Sequence, residues 1–353
     1  MAHPLSDFYR RKRVLVTGHT GFQGGWLVAW LKMLGAQICG FGLPPSIRPN
    51  FFDANILDRG ITSIFADIRD RNALANAFAD FQPEIVIHCA AQTNLESAYC
   101  DPVQTFATNV MGTVHVLEEV RQTGSVRALV IATRAEKYGD RGWFWGNDPQ
   151  YILDSSQPSS SSFACAELAT SAYIESFFKT SKTAVATARS IELIGGGDWA
   201  DGRVVPDVVR GIISGEKIVL RNSPAAAWLY VLDSVAALLL LSKKLYEEGM
   251  AHSGAWNFAG AEPEMMTSQQ LAETFVKCWG NELQLERADD GSTQKAVSPL
   301  YTGRSQTRLG WAPALPIADA IAWTAEWYRS YYADPASAWR MTEDQIGRYM
   351  RLK

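Results

Sequence analysis

The chain has 353 residues, roughly twice the usual size of one domain, so one large domain or two fused ones are expected. With 47% hydrophobic and 20% charged residues, the composition is that of a globular protein and excludes a disordered chain or a fibre. Because 33 basic residues face 37 acidic ones, the formal charge is -4, and no broad basic surface for nucleic acid is expected.

Short β-branched runs alternate with longer helical stretches in the first half of the chain. This alternation predicts an α/β fold with a doubly wound parallel sheet that helices cover on both faces. The predicted strands are Arg13–Thr17, 38–42, 61–66, 84–88, 126–132 and Ala184–Ser190. The predicted helices are 26–34, which is amphipathic and ends at Gly35, then 69–81, 102–123 and 159–180.

The pattern changes at about residue 195. Short strand-like pieces at 217–221 and 256–259 alternate with predicted helices at 233–247, Ser268–Trp279 and 317–331. Thr342 and Gln345 have the spacing of a capping box, which predicts the start of a last helix. We therefore expect two parts, 1–190 and a smaller C-terminal α/β lobe at 191–353, with segments that interleave.

A glycine-rich turn follows the first strand and opens a helix. Gly18 permits a tight turn, Gly21 lets the backbone approach a pyrophosphate, and Gly24 lets the helix and strand pack closely. A glycine cluster alone is sometimes only a turn, but the helix that follows supplies N–H groups and partial positive charge for phosphates. The predicted cofactor-binding residues of this turn are Gly18, Thr20, Gly21, Phe22, Gln23 and Gly24.

Two further strand ends belong to the predicted dinucleotide site, because ligands bind at the carboxyl ends of parallel strands. Asp67 and Ile68 follow the third strand, where a carboxylate meets an adenine amino group. The small residues after the fourth strand leave room for a ligand, and they are Ala90, Ala91 and Gln92.

The choice between NAD and NADP stays open at this stage. No Asp or Glu follows the second strand, where one would hold a ribose 2′-hydroxyl. Arg48 is either a partner for a 2′-phosphate or a solvated charge beside Pro49. We predict NAD, with NADP not excluded.

Taken together, the motifs resemble the extended short-chain dehydrogenase/reductases that act on nucleotide sugars, and among them the CDP-glucose 4,6-dehydratases. The motifs are Gly18-His-Thr-Gly-Phe22, Asp67-Ile-Arg-Asp70, Ala90-Ala-Gln92, Asp101-Pro102, Ala107-Thr-Asn-Val-Met-Gly-Thr113, Cys165-Ala-Glu-Leu168, Ile194-Gly-Gly-Gly-Asp-Trp199 and Thr307-Arg-Leu-Gly-Trp311. The resemblance implies a Rossmann-type NAD(P)-binding domain at 1–190, with Asn109 among its cofactor residues. It also implies a lobe at 191–353 that binds a nucleotide-activated sugar, and a homodimer formed through helices 102–123 and 159–180.

The chain departs from the catalytic pattern that the resemblance implies. That pattern has a Tyr base, a Lys four residues later that lowers the pKa of the Tyr, and a Thr on the same substrate oxygen. With Cys165-Ala-Glu167 as the anchor, Ser159 occupies the Tyr position and Phe163 the Lys position, whereas Thr133 keeps the Thr. Ala135 replaces the dehydrating Asp, and Glu136 stands in the place of the second acid or base.

These losses predict that ordinary 4,6-dehydration is negligible, because each acid–base group contributes roughly 10²–10⁴ to the rate. The candidate catalytic residues that remain are Thr133, Glu136 and Tyr138. The alternative for Tyr138 is simple packing beside the site, with Lys137 solvated.

The sugar-binding lobe also departs from the pattern. Glu192 replaces an Asn after the sixth strand, and 226–228 lacks an expected phosphate-facing Arg. Asn222 and Arg304 are the remaining candidates for substrate contact, the alternative being an ordinary surface pair.

Three functions remain open on these grounds: altered chemistry on a nucleotide-activated hexose, a catalytically silent binding subunit or sensor, and CDP-glucose 4,6-dehydration itself. Five widely spaced cysteines predict reduced thiols in a cytoplasmic protein, with no metal site. The apolar run 231–241 contains Asp233 and is too short to cross a bilayer, so no membrane partner is expected.

Overall fold

Short, mostly apolar runs form the strands of one central sheet, and all of them except Thr62–Phe65 contain buried residues. The computed structural model describes residues 4–134, 158–220, 225–261, 264–282, 285–287 and 300–352. The strands of the sheet are β1 (Arg13–Thr17), β2 (Gln37–Gly42), β3 (Thr62–Phe65), β4 (Ile85–His88), β5 (Ala128–Arg134), β6 (Ala184–Ser190) and β10 (Gly254–Phe258). Their order is β3-β2-β1-β4-β5-β6-β10, and each neighbouring pair is parallel. The predicted Rossmann-type doubly wound sheet is confirmed, and its order reverses between β1 and β4.

Alternate residues of β1 face two separate cores, which explains why the strand is apolar on both sides. Val14 and Val16 pack into the larger core, and Leu15 packs into the smaller one. The helices of the first half that cover these faces are α1 (Pro4–Tyr9), α2 (Phe22–Met33), α3 (Phe51–Ala54), α4 (Arg71–Phe81), α5 (Leu95–Cys100), α6 (Pro102–Phe106), α7 (Gly112–Gln122) and α8 (Pro158–Tyr173).

Both long helices predicted for the first half contain a π-helical segment. Ala107–Met111 joins α6 to α7, and Ile174–Phe178 extends α8. Helix α2 ends at Met33, followed by Gly35 with φ +73°, as predicted. The prediction that α2 is amphipathic is wrong, because residues 24–31 are all buried.

The second half adds an edge strand to the central sheet and builds two small sheets of its own. Strand β10 pairs with β6, although it lies beyond residue 190. The small sheets pair β7 (Leu193–Ile194) with β9 (Leu229–Tyr230) and β8 (Ile218–Leu220) with β11 (Leu285–Arg287). The helices are α9 (Val204–Ser214), α10 (Val231–Glu248), α11 (Ser268–Trp279), α12 (Gly303–Leu309), α13 (Ile317–Ala333) and α14 (Ala338–Met350). The domain boundary at 190 stays a prediction.

The loop 195–197 joins the two halves of the chain. The indole N–H of Trp26 on α2 donates to the carbonyl of Gly196 at 2.9 Å. A Cβ on Gly196 would lie 2.1 Å from the ring of Trp327 on α13, and one on Gly197 would lie 2.3 Å from Phe51. The glycine run therefore lets this loop pass between aromatic rings. Among the described residues, no helix is both long and apolar enough to span a membrane.

The last helix begins before the capping box that the sequence predicted. Helix α14 starts at Ala338, so Thr342 lies inside the helix, and this prediction is wrong. The Thr342 hydroxyl oxygen accepts a hydrogen bond from the indole N–H of Trp327 at 2.9 Å. Gln345 accepts one from the hydroxyl of Tyr230 at 2.7 Å. Both side chains are buried and bind other elements instead of capping their own.

Replacing Thr342 with Val should therefore destabilise the protein. The change keeps the shape but leaves the Trp327 N–H buried without its acceptor, which costs about 1–3 kcal/mol in the free energy of unfolding. Urea unfolding measures the effect. The matched control is Thr307→Val on the exposed face of α12, which should change stability by less than about 0.5 kcal/mol. Equal losses in the two variants would contradict the assignment.

Candidate functional site

The glycine turn lies at the carboxyl end of β1, where the strand order reverses. Gly18 has φ +70°, and a Cβ there would lie 2.6 Å from the backbone nitrogen of Ala90. A Cβ on Gly24 would lie 2.1 Å from the Gly18 carbonyl oxygen. Gly21 is the N-cap of α2 and makes no side-chain cap hydrogen bond, so the first-turn N–H groups of α2 are open to an anion. This cradle fits the pyrophosphate of a dinucleotide.

The other predicted residues of the turn hold it in place with their side chains. The Thr20 hydroxyl donates to the carbonyl of Leu43 at 2.8 Å, and the Gln23 amide donates to Ser234 on α10 at 2.8 Å. Phe22 is partly buried against the larger core. These contacts fasten the turn to the end of β2 and to α10, which leaves its backbone to face a ligand.

The loop after β3 carries a fixed, ionised carboxylate. Asp67 accepts hydrogen bonds from the backbone N–H of Arg69 at 2.8 Å and from its guanidinium at 2.6 Å. The Arg69 side chain lowers the pKa of the Asp67 carboxyl. Ile68 is buried against Gly112 of α7, where a Cβ would lie 2.7 Å from the Ile68 side chain. The role of Asp67 and Ile68 toward an adenine stays a prediction.

The loop after β4 is held by Asn109 of the π-helical segment. The Gln92 N–H donates to the Asn109 side-chain oxygen at 2.7 Å, and the Asn109 amide donates to the Gln92 carbonyl at 3.0 Å. The same amide donates to Ser162 on α8 at 2.8 Å. Ala90 and Ala91 precede Gln92 and are partly exposed. Asn109, predicted to bind the cofactor, thus makes these bonds to the protein, and its role toward a cofactor stays a prediction.

Thr133 lies at the end of β5 and is joined to a buried ion pair. Its hydroxyl donates to the carboxylate of Glu167 on α8, and the Arg189 guanidinium donates to the other carboxylate oxygen at 2.8 Å. Burial raises the pKa of the Glu167 carboxyl, while the charge of Arg189 opposes that rise. The hydrogen of Thr133 is therefore committed to Glu167, and its oxygen is left as an acceptor.

Sequence reasoning missed Glu167 and Arg189 as partners of Thr133. Glu167 entered the sequence analysis only as part of the anchor Cys165-Ala-Glu167. The available signal was their charge, since Arg189 is the one charged residue of a strand that is otherwise uncharged and mostly buried.

Phe163 lies on α8, one helical turn before Glu167, and is 7% exposed. Ser159 lies in the first turn of the same helix. The positions at which the resemblance implies a Tyr and a Lys therefore belong to the helix that carries Glu167. Three other predicted residues, Glu136, Tyr138 and Asn222, lie outside the described residues.

Arg304 lies away from the glycine turn. Its guanidinium donates to the carbonyls of Ala255 at 2.7 Å and Ser253 at 3.2 Å, and its central carbon lies 4.2 Å from the centre of the Trp256 ring. Ser253 precedes β10, and Ala255 and Trp256 lie in its first half, whereas the glycine turn follows the end of β1 in the same parallel sheet. The contacts stabilise the start of β10, and a substrate contact by Arg304 stays a prediction.

Two arginines that the sequence analysis did not single out lie at the carboxyl edge of the sheet. Arg203 donates to the carboxylate of Asp198 at 3.0 Å and to the hydroxyl of Thr93 at 3.0 Å. It thereby joins the loop after β4 to the start of α9. Arg134 at the end of β5 pairs with Glu192 after β6. Both pairs leave partly exposed guanidinium groups at this edge.

Comparison with known proteins places the chain in a family. Residues 14–257 match the NAD dependent epimerase/dehydratase family. The CDP-glucose 4,6-dehydratase of Salmonella typhimurium is 34% identical over 332 residues, which cover 92% of each chain.

Solved structures share the fold at lower identity. The UDP-glucose 4-epimerase of Thermotoga maritima, solved with UDP-glucose, superposes with a TM-score of 0.74 at 20% identity and covers 91% of this chain and 99% of its own. The dTDP-glucose 4,6-dehydratase of Bacillus anthracis, solved with NAD, gives 0.73 at 19% identity, covering 92% and 98%.

Gly24→Ala should destabilise the protein by about 3 kcal/mol, the upper end of the cost of overpacking. The added methyl group would meet the backbone carbonyl of Gly18, which has no flexible side chain to move aside. Thermal and urea unfolding measure the loss. In the control Gly124→Ala the new Cβ meets nothing within 4 Å, so its stability should stay at the wild-type value. A Gly24→Ala protein as stable as that control would show that the close contact is not required.

Proposed function

The chain belongs to the NAD dependent epimerase/dehydratase family, and on that basis we propose that it binds NAD and a nucleotide-activated hexose and carries out a reaction other than standard 4,6-dehydration. The observation that carries this proposal is the buried Phe163, which stands on α8 where the family pattern has a Lys.

The proposed cofactor is supported by the glycine turn. The required glycines at 18 and 24 and the uncapped start of α2 fit a pyrophosphate, and the dehydratase from Bacillus anthracis was solved with NAD. Bound NAD would supply a hydride acceptor. The residues of this chain would hold its phosphates at α2 and its adenine near Asp67. Leu43 follows β2 directly, so no carboxylate at that position holds a ribose 2′-hydroxyl, and the choice between NAD and NADP stays open.

The proposed substrate class is supported by the relatives. The Salmonella relative is named for CDP-glucose, and the Thermotoga epimerase was solved with UDP-glucose. The guanidinium groups of Arg134 and Arg203 lie at the carboxyl edge of the sheet, where they suit the diphosphate of such a ligand. The nucleotide base and the sugar are left open by these features.

The proposal of altered chemistry is argued from α8. A phenyl ring at 163 cannot lower the pKa of a neighbouring hydroxyl or hold ribose hydroxyls, as an ammonium group does. Thr133 is retained, and its hydrogen is donated to Glu167, so its oxygen is ready to accept a hydrogen bond from a sugar hydroxyl. Glu136 and Tyr138 are the proposed acid–base candidates beside it.

Two other functions each have one observation in their favour. The loss of both the phenol and the ammonium from α8 favours a catalytically silent binding subunit or sensor. The 34% identity over 92% of the chain favours CDP-glucose 4,6-dehydration itself. The assay below separates all three.

The wild-type protein, incubated with NAD and CDP-glucose, should form 4-keto-6-deoxy product at least about 100-fold more slowly than a variant with Ser159→Tyr, Phe163→Lys and Ala135→Asp. Restoring the base, its activator and the acid should return the missing proton transfers. Mass spectrometry of the nucleotide sugar measures the product. The control carries Phe163→Leu in place of Phe163→Lys, which restores no ammonium group and should gain little.

Each outcome of this assay decides between the functions. Wild-type product at the rate of the restored variant would establish 4,6-dehydration and overturn the proposal. If the wild type binds NAD but leaves a panel of nucleotide hexoses and their 4-keto derivatives unchanged, the protein is a catalytically silent binding subunit or sensor, and the proposal of altered chemistry is wrong. A changed sugar other than the 4-keto-6-deoxy product supports altered chemistry.

We also propose a homodimer formed through α6–α7 and α8. These helices pack together, and they carry apolar side chains that are exposed in the single chain: Val103 at 79%, Met111 at 48% and Leu168 at 49%. Covering such side chains with a second copy would remove them from water.

The wild type should have twice the mass of one chain by light scattering, and Val103→Asp with Leu168→Asp should shift it to a single chain at micromolar concentration. The charged groups would be buried without partners in the dimer. The control Leu352→Asp changes an equally exposed Leu at the other end of the chain and should leave the dimer intact. A wild-type protein with the mass of one chain would contradict the proposed dimer.

A further inference from the structure

Five buried polar residues are joined by hydrogen bonds from the end of β1 to α8, and the link between Thr113 and Asn109 passes through the backbone carbonyl of Asn109. They lie at the ends of β1 and β4, on α7, on the π-helical segment and on α8, and each is at most 3% exposed: Thr17, His88, Thr113, Asn109 and Ser162. Polar groups buried among apolar residues are costly unless they are paired, so a buried chain of this kind fixes one arrangement of the elements that it joins.

The hydrogen bonds of Thr113 assign the tautomer of His88. The Ala90 N–H donates to the Thr17 hydroxyl oxygen at 3.2 Å, and the Thr17 hydroxyl donates to Nδ1 of His88 at 2.6 Å. On the other side, the Thr113 hydroxyl donates to the backbone carbonyl of Asn109 at 2.6 Å, so its oxygen accepts from Nε2–H of His88 at 3.1 Å. The Thr113 bond therefore places a hydrogen on Nε2, and in a neutral ring Nδ1 then accepts from the Thr17 hydroxyl.

Burial keeps the ring in that neutral form. It lowers the pKa of His88 to about 4, so the ring carries no charge near neutral pH. The direction of every bond in the chain is then set, from Ala90 and Thr17 at one end to Thr113 and Asn109 at the other.

At its far end this series of hydrogen bonds holds the loop after β4 and helix α8. The Asn109 side chain binds both backbone groups of Gln92 and the hydroxyl of Ser162. Asn109 lies in a π-helical segment, and such segments are rare and recur at functional sites. The loop after β4 and helix α8 are therefore tied to the same chain that begins at the glycine turn.

We propose that His88 is a positioning residue that couples the glycine turn to the loop after β4 and to α8. A dinucleotide that orders the turn then also orders Gln92 and Ser162. The coupling acts through Thr17, which holds both Ala90 and His88, so the end of β1 does not shift without the ring. This inference rests on the proposed cofactor.

The test compares His88→Gln with His88→Leu. A Gln side chain offers one acceptor and one donor in place of Nδ1 and Nε2–H, whereas Leu offers neither. Calorimetry measures the NAD dissociation constant, and hydrogen exchange with mass spectrometry measures how strongly NAD slows exchange in the peptide that covers residues 90–94.

NAD should slow exchange at 90–94 in the wild type and in His88→Gln. The NAD dissociation constant of His88→Gln should stay within about threefold of the wild-type value. In His88→Leu the dissociation constant should rise about tenfold, and NAD should no longer slow exchange at 90–94. A purely structural role would lower the Tm of His88→Leu but leave the NAD-dependent slowing unchanged, and that result overturns the inference.

A second variant decides the matter if His88→Leu does not fold. Thr113→Val breaks the same chain one bond further on and keeps the shape of the side chain, so it should also abolish the slowing at 90–94. Slowing equal to the wild type in Thr113→Val overturns the inference even when NAD binds normally. If the wild type binds no NAD, the proposed cofactor fails first and the coupling falls with it.

Discussion

The close approach of three backbone segments at the end of β1 is the constraint on which the rest of the site depends. The Gly18 turn touches the nitrogen of Ala90 on one side and lies beneath Gly24 of α2 on the other, with no room for a Cβ at either glycine. Because these segments meet, α2 begins at the turn and the loop after β4 begins beside it. The anion cradle and the loop held by Asn109 therefore both start at the Gly18 turn.

Most of the central sheet could be predicted from the sequence, because most of its strands are short apolar runs buried on both faces, although the edge strand β3 has no buried residue. Strands β1 and β6 have their predicted bounds, and the other predicted strands differ by one or two residues at their ends. The membership of β10 could not be predicted, because pairing with β6 depends on contacts distant in sequence. The capping box at Thr342 was wrong for a similar reason, since local spacing does not reveal that Trp327 binds its hydroxyl.

The packing of helix α2 also depends on residues distant in sequence. A pattern read along the helix predicts one buried face, but the loop 195–197 covers a further side through the Trp26 indole. In the site, the glycines were predictable because their conformation and crowding are backbone properties. The bonds of Asn109 to Gln92 and Ser162, and of Thr133 to Glu167, join side chains from different elements. Residue type alone does not predict such partners, and the placement of Arg304 at the start of β10 has the same cause.

The position of β10 has a consequence for how the chain is made. This edge strand begins at residue 254, so the ribosome must release well over half of the polypeptide before β6 gains its last neighbour. Until then the unpaired backbone of β6 is exposed to other nascent chains. Shortened versions that stop before residue 254 would keep that open edge permanently, which makes them prone to aggregate during expression.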